Sequence, residues 1–213
     1  MATYYPLCVN LENRKCLVVG AGSIALRKIH DLLEAKADIT VVSRAAHPGV
    51  LELAESGAVK LITRSFQKAD LGHDVYLVVA ATNDEKLHHE IYREAEKRHM
   101  LCNTVDDINY CNFIVPSIIM RGDLTIGIST NGHTPFLSRA IRLYLEDLLG
   151  PEWAEIVEFG KILRKRNKDG QASREERMIF TDFWASPVGL QLKSGDKEAA
   201  LTYIRNYIKE YGA

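Results

Sequence analysis

Most of what would mark this chain's class at a glance is scarce, and each shortage excludes something. Cys8, Cys16, Cys102 and Cys111 are the only four cysteines in 213 residues. They form no CxxC pair and have no histidine partners at finger-like spacing. Neither a structural zinc site nor a disulfide framework is expected, and no other metal site is assigned. The four read as mostly buried thiols of a reducing cytoplasm. Charge of one sign is not in excess: 27 Lys and Arg against 28 Asp and Glu leave a net −1. No global basic field is present to hold nucleic acid or an anionic membrane, so an anionic ligand must be caught locally. Long apolar runs are missing too. The longest uncharged, mainly apolar stretch runs from Cys16 to Leu26 and contains two glycines, well short of the roughly 18 residues a membrane helix needs. The opening MATYYPLCVNLENR lacks the basic start, apolar centre and small-residue cleavage site of an export signal. Its apolar-polar alternation predicts an edge strand. With 6 Pro, 14 Gly and 46% hydrophobic residues, composition excludes collagen-like and disordered architectures.

What is present is an alternation of β-branched runs and helical spacing, the pattern of crossover units around a parallel sheet. Lys15 to Gly20 (KCLVVG) predicts a buried strand. It leads into a helix over Ala21 to Lys36, where Ala25, Ile29, Leu32 and Leu33 recur at helical spacing. Further strands are expected at Ile39 to Ser43, Lys60 to Arg64, Asp74 to Ala81 and Met100 to Val105. A helix led by Leu87, Ile91 and Ala95 precedes the last of these. Past Asp107 the alternation changes. Phe113 to Ile119 and Leu124 to Thr130 predict a hairpin turning at Met120-Arg121-Gly122-Asp123. Thr134-Pro135 then opens a helix with Leu137, Ile141, Tyr144 and Leu148 on one face, and Gly150-Pro151 stops it. Helices are expected over Glu152 to Asn167, after a Ser173-x-x-Glu176 capping box, and over Lys197 to Tyr211. The fold class is therefore α/β: a Rossmann-like doubly wound parallel sheet over residues 1–112, a small α+β hairpin-helix segment over 113–150, and a helical region over 151–213.

The strongest local signal is Gly20-Ala21-Gly22-Ser23-Ile24-Ala25, a G-x-G-x-x-A turn between a strand and a helix. The chemistry needs Gly20 for the tight turn, Gly22 for close backbone approach to a pyrophosphate, and Ala25 for helix–strand packing. Ser23 and Ile24 complete this candidate cofactor cradle. Where NAD enzymes usually carry an acidic residue at the end of the second strand, this chain has Ser43 and Arg44. That pair fits a 2′-phosphate and leans towards NADP, while a Ser hydroxyl serves an unphosphorylated ribose as well. Ala81, Thr82 and Asn83, with Val105, leave the carboxyl ends of two further strands, where ligands bind in open α/β sheets. Asp106 is the acid–base candidate there, since a carboxylate beside an apolar ligand is poised to accept a proton. His88-His89 falls inside a predicted helix and reads as surface, because sequence neighbours do not share a helix face. Trp153 and Trp184 read as packing residues.

Taken together, YYPLCVNLENRKCLVVGAGSIALRKIHDLLEAKADITVVS, VVAATND, LCNTVDD, FIVPSII and LTIGISTNGHTPFLSRAIR resemble the precorrin-2 dehydrogenases of sirohaem biosynthesis, including the amino-terminal part of sirohaem synthases. The resemblance covers nearly the whole chain. It implies an enzyme that removes two hydrogens from precorrin-2, with NAD as hydride acceptor, to give sirohydrochlorin. Some members also insert ferrous iron, which is then a substrate. In this resemblance Asp106 matches the family's essential aspartate, and Thr130 stands where a Ser near the active site is usual. Asn131 stands where Gly is common, and Asn is the next best residue for a left-handed backbone. Gly132 and His133 complete the turn, and the resemblance makes His133 a further side chain there to meet substrate or metal. The segment with the Leu137 to Leu148 stripe forms the dimer interface in the family, which implies a homodimer.

A polycarboxylate tetrapyrrole asks for cationic groups in a mostly apolar lining. Arg121 and Arg139 are the candidates near the turn, with Arg142 and the basic stretch Lys161 to Arg177 beside them. Two other readings are open on the residues alone: a dinucleotide-sensing regulatory module, and an NADP reductase of some other small substrate.

Overall fold

Five short apolar runs build the sheet. The computed structural model describes residues 4–105 and 107–212. In it the runs are β1 (Lys15–Val19), β2 (Asp38–Ser43), β3 (Lys60–Thr63), β4 (Val75–Ala80) and β5 (Leu101–Thr104). All pair in parallel in the order β3-β2-β1-β4-β5. Parallel neighbours require crossovers, supplied by α1 (Ser23–Glu34), α2 (Pro48–Glu55) and α3 (Glu85–Lys97). Between β3 and β4 a 3-10 turn at Lys68–Asp70 takes the helix's place.

Successive side chains of a strand point to opposite faces, and β1 divides its residues accordingly. Cys16 and Val18 join Ala25, Ile29 and Leu32 of α1 and Val50 of α2 on one face. Leu17 and Val19 join Leu71, and Ile91 and Ala95 of α3, on the other. Both faces are covered, which is why the strands read as continuous apolar runs rather than alternations. Each such Val, Leu or Ile contributes roughly 1.5–3 kcal/mol when fully buried. Burial, with Asp38 nearby, pushes the Cys16 thiol up to about 11. Burial, with Cys111 and Glu96 nearby, pushes Cys102 up to about 12. Cys8 is exposed.

Two elements differ from expectation. Among the described residues no strand forms before Lys15, and the sheet's edges are β3 and β5. Pro6 has no N–H to give a ladder, which an edge strand accommodates only where that position faces solvent. Leu11 instead packs on the α1 face of the sheet. The strand expected from Phe113 starts only at Ser117: Phe113 packs against the core of the sheet, and Pro116 separates the two roles.

The chain divides into two compact units, Met1–Val115 and Pro116–Ala213. In the second, β6 (Ser117–Arg121) and β7 (Leu124–Ile128) form an antiparallel hairpin. Arg121 stands opposite Leu124, so the turn is two residues, with Gly122 at φ +58°. Five helices follow: α4 (Pro135–Leu148), α5 (Trp153–Lys168), α6 (Arg174–Thr181), α7 (Pro187–Ser194) and α8 (Lys197–Tyr211). The segments expected at 113–150 and 151–213 pack together here, with α5 against both β7 and α8. Phe159, Leu163, Val188, Ala200 and Ile204 centre the core. Trp153 packs on that core, whereas Trp184 stays about half exposed.

The capping box of α6 does more than start a helix. Glu176 accepts from the Ser173 N–H, from the Tyr207 hydroxyl and, at 3.0 Å, from Arg166 Nε. This ties α5, α6 and α8 through one buried carboxylate. Burial alone would raise Glu176, but these hydrogen bonds outweigh it and hold the carboxyl down to about 2. On α4, by contrast, Ser138 is the buried residue. Leu137, Ile141, Tyr144 and Leu148 share one face as expected, yet are 38–66% exposed. No helix among the described residues is long and apolar enough to cross a membrane.

Candidate functional site

The strand order reverses between β1 and β4, and in an open α/β sheet that switch point is where a crevice opens at the carboxyl ends. The glycine turn lies there. Gly20 follows β1 with φ +105°, and its N–H donates to Val42 O at 2.9 Å. A Cβ on Gly20 would lie 2.2 Å from the Ala81 carbonyl oxygen. The turn therefore requires glycine twice over, for conformation and for space. Gly22 is the N-cap of α1 in extended conformation, and a Cβ there would meet nothing within 4 Å. No side chain caps α1, so the N–H groups of Ser23, Ile24 and Ala25 begin the helix beside open space. Ala25 is fully buried against the sheet. An open cradle at an uncapped helix start fits a pyrophosphate.

Ser43 ends β2, where its hydroxyl donates to Ala45 O at 2.7 Å and keeps its lone pairs available. Arg44 is exposed and makes no ion pair among the described residues. Ala81 leaves β4 with its N–H donating to Val19 O at 2.8 Å, and the Val105 N–H reaches Ala80 O at 2.9 Å. These bonds stitch the ends of β1, β4 and β5 into one rim. Thr82 is half-buried, Asn83 is exposed, and Asp84 caps α3 by accepting from the Leu87 N–H at 3.1 Å. The candidate cofactor residues are thus gathered at the carboxyl ends of β1, β2, β4 and β5.

Asp106 lies outside the described residues. Among the described residues at and after the end of β5, the Thr104 hydroxyl donates to Asp107 O at 2.8 Å and is 3.1 Å from Tyr110 O. The Thr104 N–H donates to Cys111 Sγ at 3.2 Å. His89 stacks on Tyr110 with ring centroids 3.7 Å apart, its Nε2 3.8 Å from Asp107 Oδ2.

His88 corrects the surface expectation, being 5% exposed. Its Nε2 accepts from the Thr82 N–H at 3.2 Å and stands 3.0 Å from Thr82 Oγ1. The signal was in the spacing: His88, Ile91 and Ala95 fall at i, i+3 and i+7, on the buried face of α3. Cys111, whose thiol braces the loop after β5, had no comparable signal.

In the second unit Thr130 organises the turn before α4. Its Oγ1 accepts from the Thr134 N–H at 3.2 Å and lies 3.1 Å from Ser138 Oγ, while its carbonyl accepts from the His133 N–H at 3.0 Å. Asn131 and Gly132 are both left-handed, at φ +52° and +76°, and they and His133 are exposed. Of the basic candidates, Arg139 is exposed with no ion pair among the described residues. Arg121 spends Nε on Leu149 O at 2.7 Å, closing the end of α4. Arg142 pairs with Glu146 at 2.6 Å, Lys161 with Asp123 at 2.5 Å, and Arg166 with Glu176. Several members of the basic stretch are therefore structural.

Comparison with known proteins bears on this rim. The model of the family NAD_binding_7, described as "Putative NAD(P)-binding", matches residues 7–117, which take in the glycine turn and all of β1 to β5. The chain belongs to this NAD(P)-binding family. As an NAD(P)-binding chain it is also similar to longer proteins. It is 37% identical over 198 residues to "Siroheme synthase" of Zymomonas mobilis, covering 92% of this chain and 42% of that one. It is 33% identical over 210 residues to "Siroheme synthase" of Acinetobacter baylyi, covering 98% and 46%. It is 39% identical over 209 residues to "Siroheme synthase" of Psychromonas ingrahamii, covering 97% and 44%. The chain thus spans less than half the length of these curated relatives. A solved structure named "SirC, precorrin-2 dehydrogenase" superposes with a TM-score of 0.72 at 22% identity, covering 98% of this chain and 100% of that one. That likeness shows a shared fold, the Rossmann-like sheet with its second unit.

Proposed function

We propose that the chain is a precorrin-2 dehydrogenase that oxidises precorrin-2 to sirohydrochlorin with NAD. The observation that carries this reading is the extent of the likeness. Similarity to siroheme synthases runs over 92–98% of the chain, so it includes the second unit, which binding a dinucleotide does not by itself require. NAD when bound supplies the hydride acceptor. The open turn at Gly22 and the N–H groups of α1 hold its pyrophosphate, and Ser43 meets the ribose. Asp106 takes the proton released as the substrate loses its hydride, and Thr130 to His133 with Arg139 receive the carboxylate-bearing macrocycle. Ferrous iron is a further substrate if the same residues also perform insertion. The exposed face of α4 pairs with its copy in a two-fold homodimer, and the reading places the enzyme in the cytoplasm.

The test is anaerobic incubation of the purified chain with precorrin-2 and NAD or NADP, followed by the absorbance of sirohydrochlorin. Conversion with NAD is expected, and Asp106→Asn abolishes it. Dinucleotide binding without conversion by either cofactor overturns the dehydrogenase and leaves a chelatase-only or sensing role.

A further inference from the structure

The feature left unused by this reading is the buried imidazole behind the rim. His88 sits on the inward face of α3 with Ile91 and Ala95, and one ring nitrogen faces two groups of the same residue, the backbone N–H and the hydroxyl of Thr82. A ring nitrogen that accepts a backbone N–H carries no proton of its own. The Thr82 hydroxyl then donates to His88 while its oxygen accepts from the Asp84 N–H at 3.2 Å. With N–H and O–H both turned towards the helix, Thr82 has one orientation. In it, Thr82 Cγ2 stands 3.1 Å and the Ala81 carbonyl oxygen 2.2 Å from where a Gly20 Cβ would be. The wall that forbids a side chain at Gly20 is the wall that His88 holds.

We propose that His88 is a positioning residue of the dinucleotide site: by accepting from Thr82 it pins the Ala81–Asp84 loop against the Gly20 turn and fixes the floor of the cofactor crevice. This rests on the glycine turn being the dinucleotide site. Without the acceptor, the Thr82 N–H and hydroxyl are left to find other partners, and the loop no longer has a single place against the turn.

The experiment is calorimetric titration of NAD and NADP into the full chain, with a thermal melt of each variant without ligand. His88→Phe keeps a flat ring and removes the acceptor, and it weakens binding by roughly tenfold. His88→Gln keeps an acceptor and stays within about threefold of the parent. Thr82→Val loses the hydroxyl alone and weakens binding by about threefold, whereas Thr82→Ser does not. The double variant His88→Phe with Thr82→Val is no weaker than His88→Phe by more than about twofold, because the contact that Thr82→Val removes is already lost in His88→Phe. Parental affinity in His88→Phe overturns the proposal, as does equal weakening in the Phe and Gln variants. Should His88→Phe fail to fold, Thr82→Val decides: parental affinity there overturns it. A parent chain that binds neither dinucleotide overturns the dinucleotide site itself and this inference with it, a result distinct from a parent that binds and variants that match it.

Discussion

The two units solve the same problem of covering apolar surface in opposite ways. In the first, a parallel sheet has helices on one face and a helix with a 3-10 turn on the other, so each β1 side chain from Cys16 to Val19 finds an internal partner. In the second, a two-stranded hairpin and α4 keep Ile118, Met120, Phe136, Leu137, Tyr144 and Leu148 exposed, while α5, α6, α7 and α8 gather around Phe159 and a buried carboxylate. The difference teaches where each unit is vulnerable. The first depends on backbone fit around a turn, and the second depends on one ionic junction and on what covers its open face.

Substitutions separate those dependences. The largest expected effect is in the first unit. Gly20→Val places a side chain where Ala81 O stands 2.2 Å away, costing on the order of 4 kcal/mol in chemical denaturation and abolishing dinucleotide binding. Next comes the junction of the second unit. Glu176→Ala leaves Arg166 and Tyr207 without their shared acceptor and costs about 3 kcal/mol, read as an earlier helical transition in circular dichroism, with NAD affinity retained. The same carboxylate gives a pH signature. Its folded value, about 2, lies below the ordinary glutamate value of 4.5, so its contribution is complete above pH 4.5 and disappears as pH falls towards 2. Thermal midpoints should therefore drop across that window in the parent and much less in Glu176→Gln. An equal drop in both would show that acid unfolding is governed elsewhere. The smallest effect on stability is expected from Tyr144→Glu on the exposed face, within about 0.5 kcal/mol. On the proposed homodimer, sedimentation should find the parent as a dimer and the same variant as a monomer. A dimer that survives it would mean that the open face of α4 has another use.

Sheet and helices were legible because their burial is periodic. Ala25, Ile29 and Leu32 announce α1, and the apolar runs announce β1 and β4 to within a residue or two. The hairpin's start was obscured because Phe113 belongs to one unit and Ser117 to the next, and hydropathy does not record which core a residue joins. Tyr4 to Asn10 alternates like a strand yet carries no ladder, because alternation says nothing about whether a partner edge is free. At the site the glycine turn was readable from spacing, since only a strand-to-helix turn uses G-x-G-x-x-A in that way. His88 was misjudged by weighing it against His89 when its helical neighbours were Ile91 and Ala95. Cys111 acts through contacts with Thr104 across a loop, and no pattern along the chain encodes such a meeting.

The placement of the thiols makes the folded chain its own reporter. A thiol reacts with alkylating reagents as its thiolate, so Cys16 and Cys102, buried and held up at about 11 and 12, are silent at neutral pH, and Cys111 is shielded inside its loop. Exposed Cys8 accepts a fluorophore or a spin label without prior mutagenesis. As denaturant opens the sheet, the labelling stoichiometry climbs from one towards all four cysteines, and the rate of that climb times the opening of the dinucleotide-binding unit.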